Sequence, residues 1–262
     1  MKKINHLIST GLILTVFSLG LAQQAANSVA NSSAESIGDF NSPWKDERVA
    51  IVIDPFQGNE IVWDQLVTEP RVAGLIHRAT IGRRRDTRYQ ERREEAKRRG
   101  LKWGSYHLGK PGDPIKQADF YLKTARPGDD EVMALDIESL NPATDMSLRN
   151  ARRFIRRIKK KTGRYPILYA NHTVTRAISD RFGRDKIFSK THLWYARFKS
   201  QVTDFPTTTW ETYTLWQFSS EINCTPAKLS RCLFRVPGTQ TDMDVNVYRG
   251  TVAELKANWP FR

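Results

Sequence analysis

The chain has 262 residues, 39% of them hydrophobic, and a formal net charge of +14. That length and composition suit one domain of barrel or doubly wound size and exclude two full-sized domains. The charge favours polyanionic surroundings (nucleic acid, anionic lipid or an acidic cell wall) and carries no information about fold.

Met1–Ala22 has the layout of a secretory signal. Lys2 and Lys3 supply the positive end, Leu7–Leu21 the apolar core, and small residues follow, with cleavage expected after Ala22 or nearer Ala30. The alternative, an uncleaved anchor, is the weaker reading because the apolar core is short and broken by Ser, Thr and Gly. No Cys follows the core, so a lipid-modified N-terminus is not expected. We therefore expect an exported protein, periplasmic or extracellular, with no stable membrane anchor after cleavage. The only cysteines, Cys224 and Cys232, are expected to pair as a disulfide in that oxidising compartment, and they make a poor metal site. Residues 23–47, rich in Ala, Asn and Ser without apolar periodicity, read as a flexible spacer, and residues 48–262 as the folded domain.

Val49–Ile53 is an unbroken apolar strand, and Pro55 stops its ladder, leaving Asp54 at the C-terminal end. Gly74–Ala79 reads as a short strand, Arg88–Arg99 as a helix stopped by Gly100, Trp103–Leu108 as a strand and Pro114–Ala125 as a helix. Glu131–Glu138 (EVMALDIE) is next, an apolar strand ending in Asp136-Ile137-Glu138. With a side-chain period of two, Asp136 and Glu138 point to one side. Paired and partly desolvated, they repel, which raises at least one pKa and can keep one carboxyl protonated near neutral pH. A carboxylic acid beside a carboxylate is what glycosidic bond cleavage needs. A structural pair salt-bridged to some of the many arginines fits this stretch equally well.

Ser147–Lys161 is an amphipathic helix with a Leu148, Ala151, Phe154, Ile155, Ile158 stripe, ended by Gly163. Strands follow at Pro166–Ala170, Leu193–Phe198, Tyr213–Phe218 and Met243–Tyr248, with helices over Val174–Phe182 and near Val252–Asn258. Short apolar strands alternating with helices predict a parallel α/β fold, here a single irregular (β/α) TIM-like barrel. Asp54, Asp136, Glu138 and Asp244 recur where strands end or in the last strand, which suits an active site at the C-terminal ends of the strands. The basic stretch Arg83–Lys102 lacks interleaved aromatics apart from Tyr89, and its glutamates sit at helical spacing to its arginines. It reads as a solvated helix face, and no specific nucleic-acid partner is expected.

In order along the chain, these segments resemble glycoside hydrolase family 25, the secreted N-acetylmuramidases often called Chalaropsis-type lysozymes. The resemblance rests on VIDPFQGNEIVW (Asp54, Gln57, Gly58, Trp63), IHRATIG (Ala79, Thr80, Gly82), GSYHL (Gly104, Tyr106, His107), the intact LDIE (Leu135–Glu138), PILYAN, LWYARF, LWQFSS and MDVNVYRG (Asp244, Asn246). Departures are Pro55-Phe56, Arg78 for a lysine, Ile81 for a glutamate, and the Cys224–Cys232 segment.

The resemblance implies a glycan groove at the strand ends and hydrolysis of the β-1,4 bond between N-acetylmuramic acid and N-acetylglucosamine in peptidoglycan. Glu138 is then the general acid, with Asp136 beside it raising its pKa. Asp54 and Asp244 are candidates to stabilise charge at the anomeric carbon, by positioning the N-acetyl group or by direct nucleophilic attack. Tyr106, Tyr169, Trp194 and Trp216 are candidates to stack on sugar rings, with a core position as the alternative for each. Gln217 and Asn171 are candidate partners for acetamido groups. His107 is expected as a hydrogen-bonded wall residue. No metal or cofactor is expected, since no His has HExxH spacing. Peptidoglycan glycan strands are the expected partner and a monomer the expected state. The competing reading is a weak or inactive protein that binds wall glycan or another polyanion on the same scaffold.

Overall fold

The structure is a computed structural model that describes residues 41–262. The expected signal (1–22) and most of the expected spacer lie outside the described residues. The spacer's last part does not behave as a tether. Ser42 N–H donates to the Ser200 carbonyl (2.8 Å), Trp44 stacks on Phe218 at 4.8 Å, and Arg71 Nη1 donates to the Trp44 carbonyl (2.7 Å). Packing thus starts before residue 48. A single Trp among polar neighbours carried too little periodicity to announce it.

Strands β1 (Val49–Ile53), β2 (Val72–Ile81), β4 (Lys102–Leu108), β5 (Val132–Ile137), β6 (Ile167–Asn171), β7 (Leu193–Ala196) and β8 (Leu215–Ser219) pair in succession and in parallel. β9 (Val245–Thr251) runs antiparallel between β8 and β1 and closes an eight-stranded barrel. A two-residue β3 (Arg84–Arg85) folds back on the end of β2.

Helices α1 (Trp63–Leu66), α2 (Tyr89–Arg98), α3 (Pro114–Ala125), α4 (Leu148–Thr162) and α5 (His172–Phe182) connect the parallel strands up to β7. Local chemistry explains their ends. Asp113 caps α3 by accepting from Ile115 and Lys116 N–H, Ser147 caps α4 through Asn150 N–H, and Gly163 ends α4 at φ 72°. α6 (Val252–Asn258) opens with a capping box between Thr251 and Glu254.

The fold departs from the expected all-parallel pattern at its end. No α-helix intervenes between β7 and β8 or between β8 and β9; β8 still runs parallel to β7, and β9 returns antiparallel. The sequence hides this, because a buried apolar strand looks the same in either direction.

Alternation along the strands sends Ala50, Val52, Tyr106, Ala134, Tyr169, Trp194 and Leu215 into the barrel, where they are buried together. Leu255, Trp259 and Phe261 of α6 and the C-terminal residues join the same cluster. They plug the end where the parallel strands begin, with Trp259 Nε1–H donating to the Trp103 carbonyl (3.1 Å). The opposite end carries the polar residues.

Candidate active site at the open end of the barrel

A shift in the β2–β4 register decides what faces the interior at one wall. Arg78 pairs with Tyr106 but Thr80 pairs with His107, so Ala79 is an extra residue. Thr80 is thereby turned outward, where its hydroxyl meets His107 Nδ1 at 2.7 Å, while Ile81 packs against the interior cluster. His107 Nε2–H donates to Gln117 Oε1 (3.1 Å), so His107 is a hydrogen-bonded residue of the layer between sheet and helices.

Asp54 follows β1 directly and is buried, with both carboxylate oxygens occupied. Asn246 Nδ2 donates to Oδ1 at 2.5 Å and Gln217 Nε2 to Oδ2 at 3.0 Å. Each amide is oriented from behind. Trp194 Nε1, a donor only, gives its hydrogen to Asn246 Oδ1 (2.5 Å), and the Tyr169 hydroxyl donates to Gln217 Oε1 (2.7 Å). Both NH₂ groups must then face the carboxylate. Residues from β1, β6, β7, β8 and β9 are tied into one network, which barrel closure alone brings together.

Asp244 immediately precedes β9. In a parallel strand that position would lie at the plugged end. Because β9 is antiparallel, Asp244 lies at the open end, where its carbonyl accepts from Asp54 N–H (3.3 Å). Asp136, on β5, faces the same interior and is 5% exposed. Asp136 Oδ1 and Asp244 Oδ1 are buried without a hydrogen-bond partner. Those open acceptor positions make the two acids unlike Asp54.

Glu138, just past β5, keeps solvent-accessible surface. Its carboxyl is nevertheless ringed by the rim. Partial desolvation raises its pKa first, Lys110 opposes, and the charges of Asp145 and Glu221 add to the rise. Asp136 is raised well above the usual range by burial, then by the charges of Glu138 and Asp54. Burial also raises Asp54, against the lowering effect of its two amide partners, and raises Asp244 with the Asp54 charge behind it. The cluster therefore holds protons that separate carboxyls would release.

The aromatic candidates divide. Tyr106 and Tyr169 are 9% and 8% exposed beneath the carboxylates. Trp194 is buried and meets both tyrosines edge-on, with ring centroids at 6.2 and 4.9 Å. Trp216 does not reach the site. It lies on the other face of β8 from Gln217, fully buried, with Nε1–H donating to the Arg197 carbonyl (2.7 Å) and Phe218 and Tyr213 edge-on. Asn171 caps α5, accepting from Val174 N–H (3.0 Å), and its Nδ2 donates to the Glu138 carbonyl (2.6 Å). Its amide therefore holds the backbone that presents Glu138.

Sequence reasoning noted Arg78 and Phe56 only as departures from the family pattern and missed Lys110 and Glu221 near these acids. Arg78 sits over the Phe56 ring at 4.5 Å with Nε 3.4 Å from Asp86. Lys110 lies 3.6 Å from Asp145. Glu221 extends from the loop after β8, and its charge acts on Asp54, Glu138 and Asp244. Lys110 and Glu221 each lie two residues beyond a strand, so the strand-end rule that picked out the aspartates, applied to all charged residues, would have found them. The segment after Glu221 carries the Cys224–Cys232 disulfide.

A family model, Glycosyl hydrolases family 25, matches residues 53–226. No curated protein matches the sequence significantly. Among solved structures, the fold is similar to the bacterial lysozyme from Streptomyces coelicolor (24% identity, TM-score 0.66, covering 81% of this chain and 97% of that one). It is also similar to the muramidase from Trichobolus zukalii (22% identity, TM-score 0.63, 79% and 97% covered). A family GH25 lysozyme from Aspergillus fumigatus aligns equally well (22% identity, TM-score 0.63, 80% and 98% covered). At such identities the structural likeness establishes the fold.

Proposed function

The chain belongs to glycosyl hydrolases family 25 and is a glycoside hydrolase, and on that premise we propose that it is an exported N-acetylmuramidase with Glu138 as general acid. The reading is carried by one observation: Asp54, Asp136, Glu138 and Asp244 converge at the open end of the barrel with Glu138 the accessible member. The proposed substrate is the β-1,4 linkage between N-acetylmuramic acid and N-acetylglucosamine in peptidoglycan. Glu138 donates its proton to the bridging oxygen as the bond to the anomeric carbon breaks. Partial desolvation, with the charges of Asp145 and Glu221 behind it, favours that proton staying on Glu138 until substrate arrives.

Positive charge developing at the anomeric carbon needs an anion. Asp54, locked by Asn246 and Gln217, supplies a carboxylate that cannot rotate away. Asp244, with a free acceptor oxygen, is suited to take the N–H of the substrate's acetamido group and aim its carbonyl at the anomeric carbon. After departure of the leaving sugar, Glu138 as carboxylate takes a proton from the attacking water.

Export is supported by the Cys224–Cys232 disulfide and by the layout of Met1–Ala22, which lies outside the described residues. Among the described residues no helix is long and apolar enough to cross a membrane. Mass analysis of the secreted chain's N-terminus tests this part, with a cleavage between residues 22 and 30 expected.

The enzymatic part is tested by reducing-end release from purified peptidoglycan with product masses, for wild type and Glu138→Gln. Muramic acid reducing ends that vanish in the variant are expected. A folded wild type that binds the wall and releases nothing between about pH 4 and 8, where a raised Glu acts, would return the reading to a wall-binding protein.

A further inference from the structure

The end of the barrel opposite the carboxylates is not featureless. Beside the aromatic plug lies a cavity of about 350 Å³, lined by Lys159, Arg164, Lys190 and Arg262, the rings of Tyr165 and Phe261, and no Asp or Glu side chain. Among the described residues none of these four cations makes an ion pair. Lys159 donates to the Gly163 carbonyl, Arg164 to the carbonyls of Gly128, Asp129 and Glu131, and Arg262 to that of Asp129. Arg164 Nε is buried without a partner. Elsewhere on this chain arginines commonly meet carboxylates, as Arg93 meets Glu131 and Arg157 meets Asp119. Four cations converging with no acidic side chain between them raise the local potential and favour an anion from outside.

The cavity is one of three that meet at His192. A second, of about 280 Å³, shares His192, Phe261 and Arg262 and adds Arg249, which donates to the Thr212 hydroxyl. A third, of about 380 Å³, shares His192 and adds Arg184, the hydroxyls of Thr207–Thr209 and one acid, Glu211. Cations spread along a continuous surface suit a chain with repeated charges better than a single ion.

We propose that this surface is a second binding site, which holds the phosphate groups of a phosphodiester-linked wall polymer while the far rim acts on glycan. The site stands on its own geometry, and only its assignment to a wall polymer rests on the proposed function. Both terminal nitrogens of Arg164 are already committed to carbonyls, so Arg164 adds charge and no open bidentate fork. What remains are the Arg262 guanidinium, one nitrogen of which holds the Asp129 carbonyl, and the ammonium point charges of Lys159 and Lys190, groups well suited to phosphate. A nucleic acid is less well served, because stacking platforms are taken. Lys159 covers Tyr165 at 5.0 Å, and Phe261 lies against Tyr248 at 5.8 Å. A lipid surface is less well served too, since none of the exposed large apolar residues lines these cavities.

The test is titration calorimetry of the folded chain with poly(glycerol phosphate), inorganic phosphate, a single-stranded oligonucleotide of matched charge, and phosphatidylglycerol vesicles. Lys159→Gln with Lys190→Gln is compared with Arg153→Gln and Arg156→Gln, which remove equal charge from the exposed face of α4. The expected result is poly(glycerol phosphate) binding that the lysine pair weakens about tenfold and the arginine pair less than about twofold, falling steeply with salt.

Equal losses in both pairs, or no binding, overturn the site. Oligonucleotide or vesicles bound as tightly as the polymer overturn the choice of partner. Inorganic phosphate bound as tightly as the polymer assigns the cavity to a free phosphate ester instead. Binding needs no turnover, so these outcomes are independent of the muramidase test. Hydrolysis of polymer-free peptidoglycan is expected to be unchanged in both pairs.

Discussion

A carboxyl serves as a proton donor only if it still holds its proton when substrate arrives, and at this rim partial desolvation first, then neighbouring acidic charge, favours that. Glu138→Gln removes the donor and preserves shape, so kcat is expected to fall at least about 100-fold with folding intact. Asp136→Asn separates two effects. The raised pKa of Asp136 means that its proton helps hold the fold at low pH, and that this help is lost as pH rises through the folded value. Above that folded value the ionised, buried group is a cost, and there the variant is expected to melt about 2–4 °C higher per kcal/mol regained. The gain should shrink in acid, where the wild-type carboxyl is protonated. The same change leaves desolvation, Asp145 and Glu221 acting on Glu138, so the alkaline limb of the activity profile is expected to stay close to that of the wild type.

The site also depends on how elements are joined. Asn171 ends β6, caps α5 and holds the Glu138 carbonyl, so one side chain serves a helix and an active-site loop at once. Asn171→Ala is expected to cost about 1–2 kcal/mol in urea unfolding from the lost cap. A further drop in kcat, with KM little changed, would register the freed Glu138 backbone. The sequence marked Asn171 as a candidate partner for substrate, because a polar residue at a strand end reads the same whether it meets a ligand or the next helix.

The disulfide segment is a second case. Cys224→Ser with Cys232→Ser is expected to lower stability by no more than about 2–3 kcal/mol, since the bond closes a short loop. That loop adjoins Glu221, so a changed pH profile is expected alongside, checked by kinetics on soluble glycan fragments.

For the whole molecule, the buried histidines set the acid limit. Burial lowers His77 to about 3 and His107 to about 4. His77 Nε2 accepts from Arg92 Nη1 (3.1 Å), a bond that the protonated ring cannot accept. Both rings are neutral in the fold and take up protons on unfolding. Their contribution is complete above the ordinary histidine value near 6.5 and is lost as pH falls from there towards 4 and 3. Urea midpoints are therefore expected to decline on acidification through that window, against the opposite trend from the buried carboxyls. His77→Gln would flatten the decline.

Much was legible in the residues alone. The apolar runs of Val49–Ile53 and Val132–Ile137 and the stripe of Ser147–Lys161 encode strands and a helix, because burial periodicity is a local property. Carboxylates at strand ends encode an active rim, because parallel strands deliver their C-terminal ends to one side. Two things needed the closed barrel. The direction of β9 is not written in its apolar residues, and it alone brings Asp244 to the carboxylates. The partners of each side chain are set by neighbours distant in sequence. Trp194 and Gln217 prove to be members of the network that holds Asp54, and Trp216 packs outside, because one residue of register reverses the face on which a side chain is buried.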